Sequence, residues 1–202
     1  MENEKYLNDI SEIKNMMSKS SQFISLSGFS GIIAGVYALI GAITANYIIT
    51  HDGSMNITLE SLTFKYCITI AFIVLVLSVG TAYLLTLKKA KKQGEKIWNP
   101  TTRKLIVNFC IPLFTGGIFA IELLRHSYFG IIAPIILVFY GMACVNASKY
   151  TLRDVRYLGL TIIIIGIIAL EFPGYGLHFW ALGFGICHII YGSVMYYKYD
   201  RN

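Results

Sequence analysis

The stretch Gly166-Ile-Ile-Ala169-Leu-Glu171-Phe172-Pro173-Gly174-Tyr175-Gly176 joins two long apolar runs, so Leu160–Met195 reads as a helical hairpin that crosses a lipid bilayer. Each arm holds about 17–20 mostly apolar residues, which at about 1.5 Å per residue covers the roughly 30 Å of a hydrocarbon core. A proline and two glycines between the arms cannot continue a helix. Similar text stands earlier in the chain. Gly117-Ile-Phe-Ala120-Ile-Glu122 is followed by Tyr140-Gly141, and Gly35-Val-Tyr-Ala38-Leu-Ile40 is followed by Gly80.

Composition extends this reading outward. Hydrophobic residues make up 55% of the 202 residues, charged ones only 14%, and the mean hydropathy is +0.61, which argues against a soluble domain. Charge is also segregated: no Asp, Glu, Lys or Arg occurs from Ser20 to Thr50, from Tyr66 to Leu87, or from Ser127 to Ser148. The expectation is an all-α polytopic membrane protein with six transmembrane helices at about 23–49, 64–87, 105–125, 129–147, 155–172 and 178–197. The recurring text falls at similar depth in helices one, three and five, which suggests three parallel helical-hairpin repeats. Residues 1–21 form a separate cytoplasmic segment in which Tyr6, Ile10, Ile13 and Met17 recur at helical spacing, as in a surface-lying amphipathic helix; a frayed tail is the other reading. No cleavable signal peptide is expected, so the first helix would act as its own insertion signal.

Charge also orients the chain. With both termini inside, 15 of the 17 Lys and Arg residues fall on the cytoplasmic side, leaving Lys65 and Arg125 outside. Seven of them lie in 88–104, which is best read as a cytoplasmic loop touching anionic lipid rather than as a nucleic-acid site. Asn99-Pro100 there reads as a helix start. In helix one, Ser27, Gly31 and Gly35, and likewise Ala34, Ala38 and Ala42, form small-residue ridges suited to close helix packing, within the chain or in a homo-oligomer.

The spacing of Gly, Ala-Leu and Pro before an apolar return resembles the small six-helix hairpin-repeat proteins of bacterial inner membranes, the acid-resistance membrane protein family among them. Ser25-Leu-Ser-Gly-Phe-Ser-Gly31 and Gly183-Phe-Gly-Ile-Cys-His-Ile-Ile-Tyr-Gly192 also resemble uncharacterised bacterial membrane proteins. The resemblance implies an inner-membrane location. It departs from the named family at Glu122 and Glu171 and carries no catalytic motif across.

Chemistry-bearing residues are few. Ionisable groups inside spans are functional hypotheses by default, and His188 is the deepest. It reads as a neutral histidine hydrogen-bonded to a tyrosine or a backbone carbonyl, with a ligand or proton-relay role as the alternative. No second histidine at equal depth supports a haem. At the outer rim Glu122, His126, Glu171 and His178 are residue types that bind a divalent metal, although their spacing matches no specific motif. The other reading pairs Glu122 with Arg125 or His126. Cys67, Cys110, Cys144 and Cys187 all lie in apolar runs without a CxxC partner and read as small buried residues. No cofactor is favoured. These features point to a non-enzymatic structural, stress-response or regulatory component of the inner membrane. A small-solute transporter or channel is one alternative, and a membrane enzyme with an outer-facing His/Glu metal site is another.

Overall fold

The computed structural model describes residues 26–51, 58–92 and 97–201, together with Tyr6, Phe23 and Gly94. The expected amphipathic segment 1–21, Tyr6 apart, lies outside the described residues. Among the described residues six long helices follow one another: α1 (Gly28–His51), α2 (Leu62–Lys92), α3 (Pro100–Arg125), α4 (Phe129–Ala147, its first turn a tighter 3-10 turn), α5 (Asp154–Ala169) and α6 (Gly176–Asp200). Among the described residues there is no strand, only an isolated bridge between Phe23 and Thr151. All but α5 are long and apolar enough to cross a membrane; α5 has 16 residues, about 24 Å at 1.5 Å per residue.

Several helix ends differ from the expected spans, each for a local reason. Helix α1 starts at Gly28 rather than near Phe23, because Phe23 donates its N–H to the Tyr150 carbonyl at 2.8 Å and takes the Thr151 hydroxyl on its own carbonyl at 2.8 Å. Helix α5 stops at Ala169 instead of reaching Phe172, because Pro173 follows and the chain turns through Gly174 at φ +97°. Helix α2 runs on to Lys92, well beyond the apolar run that ends at Leu87. Asn99 caps α3 as expected, accepting the Thr102 N–H at 2.8 Å, with Pro100 at the first helical position. The turn after α3 places Ser127 at φ 62°.

Helices α1, α4, α5 and α6 form the centre, while α2 lies against α1 and α3 against α4. The core is built from Leu137 of α4 with Leu158, Ile162 and Ile165 of α5, covered by Tyr140 and by Phe179, Leu182, Phe184 and Tyr191. Only Thr63 and Ala90 are buried in the whole of α2. Phe72, Val79 and Leu84 of α2, and Ile111, Phe114 and Ile118 of α3, stand 60–69% exposed. Apolar surface of that extent is costly in water and is what a helix turned toward lipid presents.

The central helices meet through backbone rather than through large side chains. A Cβ added to Gly35 of α1 would lie 2.6 Å from the Gly185 carbonyl oxygen of α6, and one on Gly192 would lie 2.7 Å from the Gly28 carbonyl oxygen. Gly141 of α4 and Gly159 of α5 face each other reciprocally, each hypothetical Cβ 2.6 Å from the other's carbonyl oxygen. The small-residue ridge of α1 is therefore used within the chain, against α6. The same data separate positions that the expected repeat makes equivalent. Gly35, Gly141, Gly166 and Gly192 are close-packed, whereas Gly80 and Gly117 have nothing within 4 Å, and Gly116 is the residue of α3 that packs, on Phe139.

This contrast gives a stability test. Gly35→Leu forces α1 from α6 and should cost about 1–3 kcal/mol, as overpacking does. Gly117→Ala and Gly80→Ala meet no neighbour and should be neutral or stabilise by up to about 1 kcal/mol through helix propensity. Thermal unfolding of the three variants in detergent reads both effects, and equal loss at all three positions would contradict the packing described.

Candidate functional site

Two polar constellations stand out, one inside the bundle and one at its rim. The inner one is centred on His188, 7% exposed on α6. Residues Ala181–Ile186 just before it form a wider π-helical turn, in which the Cys187 N–H bonds the Leu182 carbonyl five residues back. His188 Nδ1 lies 3.0 Å from the Gly183 carbonyl oxygen, also five residues back, and Nε2 lies 2.7 Å from the Tyr140 hydroxyl of α4. A carbonyl oxygen only accepts, so Nδ1 carries the proton; Nε2 is then the acceptor and Tyr140 donates. Both ring nitrogens of a neutral imidazole are thereby satisfied. Phe184 stacks on His188 at 5.9 Å, and Trp180 follows at 5.2 Å from Phe184. The sequence expectation offered a tyrosine or a backbone carbonyl as partner; the structure supplies both.

The rim constellation draws together the end of the chain and the start of the bundle. Asp200 Oδ2 accepts the Gly28 N–H at 2.8 Å and the Ser27 hydroxyl at 3.4 Å, placing a carboxylate on the N-terminus of α1. Lys89 of α2 donates to Asp200 Oδ1 at 2.6 Å and to the Leu26 carbonyl at 3.0 Å. Both charged side chains are largely buried, 13% exposed for Lys89 and 10% for Asp200. One turn away, Asp154 at the first residue of α5 accepts from Lys198 Nζ at 2.9 Å and from the Tyr199 hydroxyl at 2.7 Å. Burial pushes the Asp154 carboxyl up, but the bonds from Lys198 and Tyr199 outweigh it and hold it below the ordinary carboxylate range. The support from this contact is thus present at neutral pH and is lost as pH falls through that lowered pKa. Lys198-Tyr199-Asp200 therefore clasps α1, α2 and α5. Sequence reading missed this site; the signal was two acids, Asp154 and Asp200, each set among basic residues at the ends of apolar runs.

The outer-rim residues do not converge. Glu122 pairs with Arg125 at 2.9 Å on an exposed helix face. His126 lies beside Tyr128, His178 beside Tyr175, and Glu171 is exposed just past the end of α5. Among the described residues no three His, Cys, Asp or Glu side chains gather as a metal would require. Cys144 is buried and the other three cysteines are half-buried, all as free thiols.

Comparison of the chain with protein-family models, curated proteins and solved structures finds no match.

The two constellations differ in what they hold together, and substitution should show it. Asp200→Ala leaves Lys89 buried without its partner and should cost about 3–5 kcal/mol, whereas Glu122→Ala breaks an exposed pair worth about 0–1 kcal/mol. Tyr140→Phe removes the donor to His188 Nε2 and should cost about 1–3 kcal/mol. Unfolding midpoints in detergent rank the three, and Glu122→Ala equalling Asp200→Ala would refute the assignment of the clasp.

Proposed function

We propose that this chain is a non-enzymatic integral component of a bacterial-type inner membrane, with six spans and both termini in the cytoplasm, acting as a structural, stress-response or regulatory protein. The observation that carries this reading is how its buried charge and imidazole are used. Lys89 and Asp200 tie α2 and α6 to the start of α1, and His188 ties α6 to α4 with both ring nitrogens occupied. These groups are spent on holding helices together.

Support for six spans comes from α5. It packs along α4 over its length and continues into the Leu170–Tyr175 turn, where Tyr175 lies near His178 at the start of α6. A span shorter than the hydrocarbon thickness is accommodated by local thinning of the bilayer and by its flanking residues. Support for the orientation comes from charge, because Lys88, Lys89, Lys91, Lys92, Arg103, Lys104, Lys149, Arg153, Arg156, Lys198 and Arg201 all belong to one end of the bundle. The resemblance of the hairpin text to acid-resistance membrane proteins favours a stress-response role.

One observation favours the second reading, a small-solute transporter or channel. His188 sits mid-bundle beside a π-helical turn, a feature frequent at functional sites, and the nearby Tyr191 hydroxyl is buried without a hydrogen-bond partner among the described residues. Proton or solute flux in liposomes that disappears in His188→Gln would establish that reading in place of the structural one.

Labelling tests the topology. In a chain freed of its native cysteines, Gly94→Cys and Lys149→Cys should react with a membrane-impermeant maleimide only from the cytoplasmic side, and Gly53→Cys only from outside. Labelling of position 94 from outside would overturn the orientation, and labelling of positions 53 and 94 from the same side would overturn the span number.

A further inference from the structure

We propose that Trp98, Arg103 and Lys104, with the apolar stripe of α3 beneath them, form a binding site for one anionic phospholipid of the adjoining leaflet. The proposal rests on the six-span reading, since it places the start of α3 at headgroup level. An open cavity of about 530 Å³ lies there, lined by Trp98, Asn99, Pro100, Arg103, Lys104 and Val107. Among the described residues its lining holds two cations and no carboxylate. Two other cations of this rim are already committed within the protein, Lys89 to Asp200 and Lys198 to Asp154. Arg103 and Lys104 enter no ion pair among the described residues. A guanidinium and an ammonium side by side match a phosphodiester, the first by paired N–H donors and the second as a point charge. Trp98, 72% exposed, is the residue type that settles at the membrane–water interface.

What lies below the cavity selects a lipid over a soluble anion. Val107, Ile111, Phe114, Ile118 and Ile121 recur at alternating spacings of four and three, so they share one face of α3, and each is 49–69% exposed. From Val107 to Ile121 the stripe rises about 21 Å, more than the roughly 15 Å depth of one leaflet's hydrocarbon. A free phosphate would use the cations and leave this stripe untouched; a phospholipid uses both. A second copy of the chain is the other occupant to consider. In a parallel assembly it would bring its own basic rim to a cavity that is already positive, and among the described residues the carboxylates of that rim, Asp154 and Asp200, are committed to lysines.

The test uses the full chain in detergent, titrated separately with phosphatidylglycerol, phosphatidylcholine and inorganic phosphate. Native mass spectrometry counts retained lipid and thermal unfolding reads stabilisation. Wild type should retain one phosphatidylglycerol per chain in preference to phosphatidylcholine, and inorganic phosphate should have no effect. Arg103→Gln with Lys104→Gln should weaken retention roughly tenfold, while Lys91→Gln with Lys92→Gln should leave it unchanged. Trp98→Ala provides a second variant and should also weaken it if the double substitution disturbs folding. Equal retention of the two lipids, stabilisation by phosphate alone, retention unaffected by Arg103→Gln/Lys104→Gln, or a dimer in place of bound lipid would each overturn the site. Maleimide labelling of positions 53, 94 and 149 in membranes separates the failures. Positions 94 and 149 labelled from one side and 53 from the other uphold the six spans, so unaltered lipid retention with that pattern defeats the lipid site alone, whereas any other pattern defeats the six-span reading.

Discussion

Close backbone approach at glycine is the constraint on which the rest of this structure depends. A helix whose outer face is already apolar gains little by burying more apolar surface, so association must come from dense packing and from polar contacts between helices. The chain supplies the first at two crossings, α1 with α6 through Gly35, Gly185 and Gly192, and α4 with α5 through Gly141 and Gly159. Leu137 and Ile162 then fill the space between α4, α5 and α6 with no exposure to solvent. Helices α2 and α3 lack such contacts over most of their length and remain at the periphery, where they present Phe, Ile, Val and Leu outward.

The first crossing joins the beginning of the bundle to its end, and the polar clasp follows from that. Once Gly192 lies against Gly28 and Gly31, the continuation of α6 brings Asp200 onto the open N-terminus of α1, where its carboxylate satisfies the Gly28 N–H. Lys89 completes the arrangement from α2. An ion pair this buried yields little net stability compared with an apolar replacement, but removing one member leaves a costly unpaired charge. It acts chiefly to fix which helix end meets which. Asp154 with Lys198 and Tyr199 repeats the device for α5, and Phe23 with Tyr150 and Thr151 joins the segment before α1 to the α4–α5 connection. One rim is thus stitched from four separate parts of the sequence.

Much of the helical layout was legible from local signals. Uncharged stretches marked the long apolar helices, Asn99-Pro100 marked the start of α3, and Pro173-Gly174 marked the turn after α5. The partners of His188 were legible as a class, since a buried imidazole needs a donor and an acceptor, although Tyr140 could not be singled out by spacing alone. The clasp was not legible, because Lys89 and Asp200 are 111 residues apart and only the fold brings them together. The glycine text misled for a related reason. Gly117 matches Gly35 and Gly166 in its neighbours along the chain, but which glycine meets another helix depends on helix rotation, and in α3 that rotation favours Gly116. The outer-rim Glu and His residues shared a depth in the sequence without sharing a location, and Glu122 found Arg125 three residues away.

The central claim is that the small-residue ridge of α1 is occupied by α6 of the same chain. Cysteine crosslinking addresses it directly. The rings of Phe29 on α1 and Tyr196 on α6 lie 6.1 Å apart, within reach of a short bifunctional thiol reagent, and neither position is one of the close-packed glycines. In membranes, a chain carrying only Phe29→Cys and Tyr196→Cys should form an intramolecular crosslink and migrate as a monomer at every protein concentration. Crosslinked dimers would show instead that the ridge meets a second copy, and no crosslink at all would show that α1 and α6 are not neighbours.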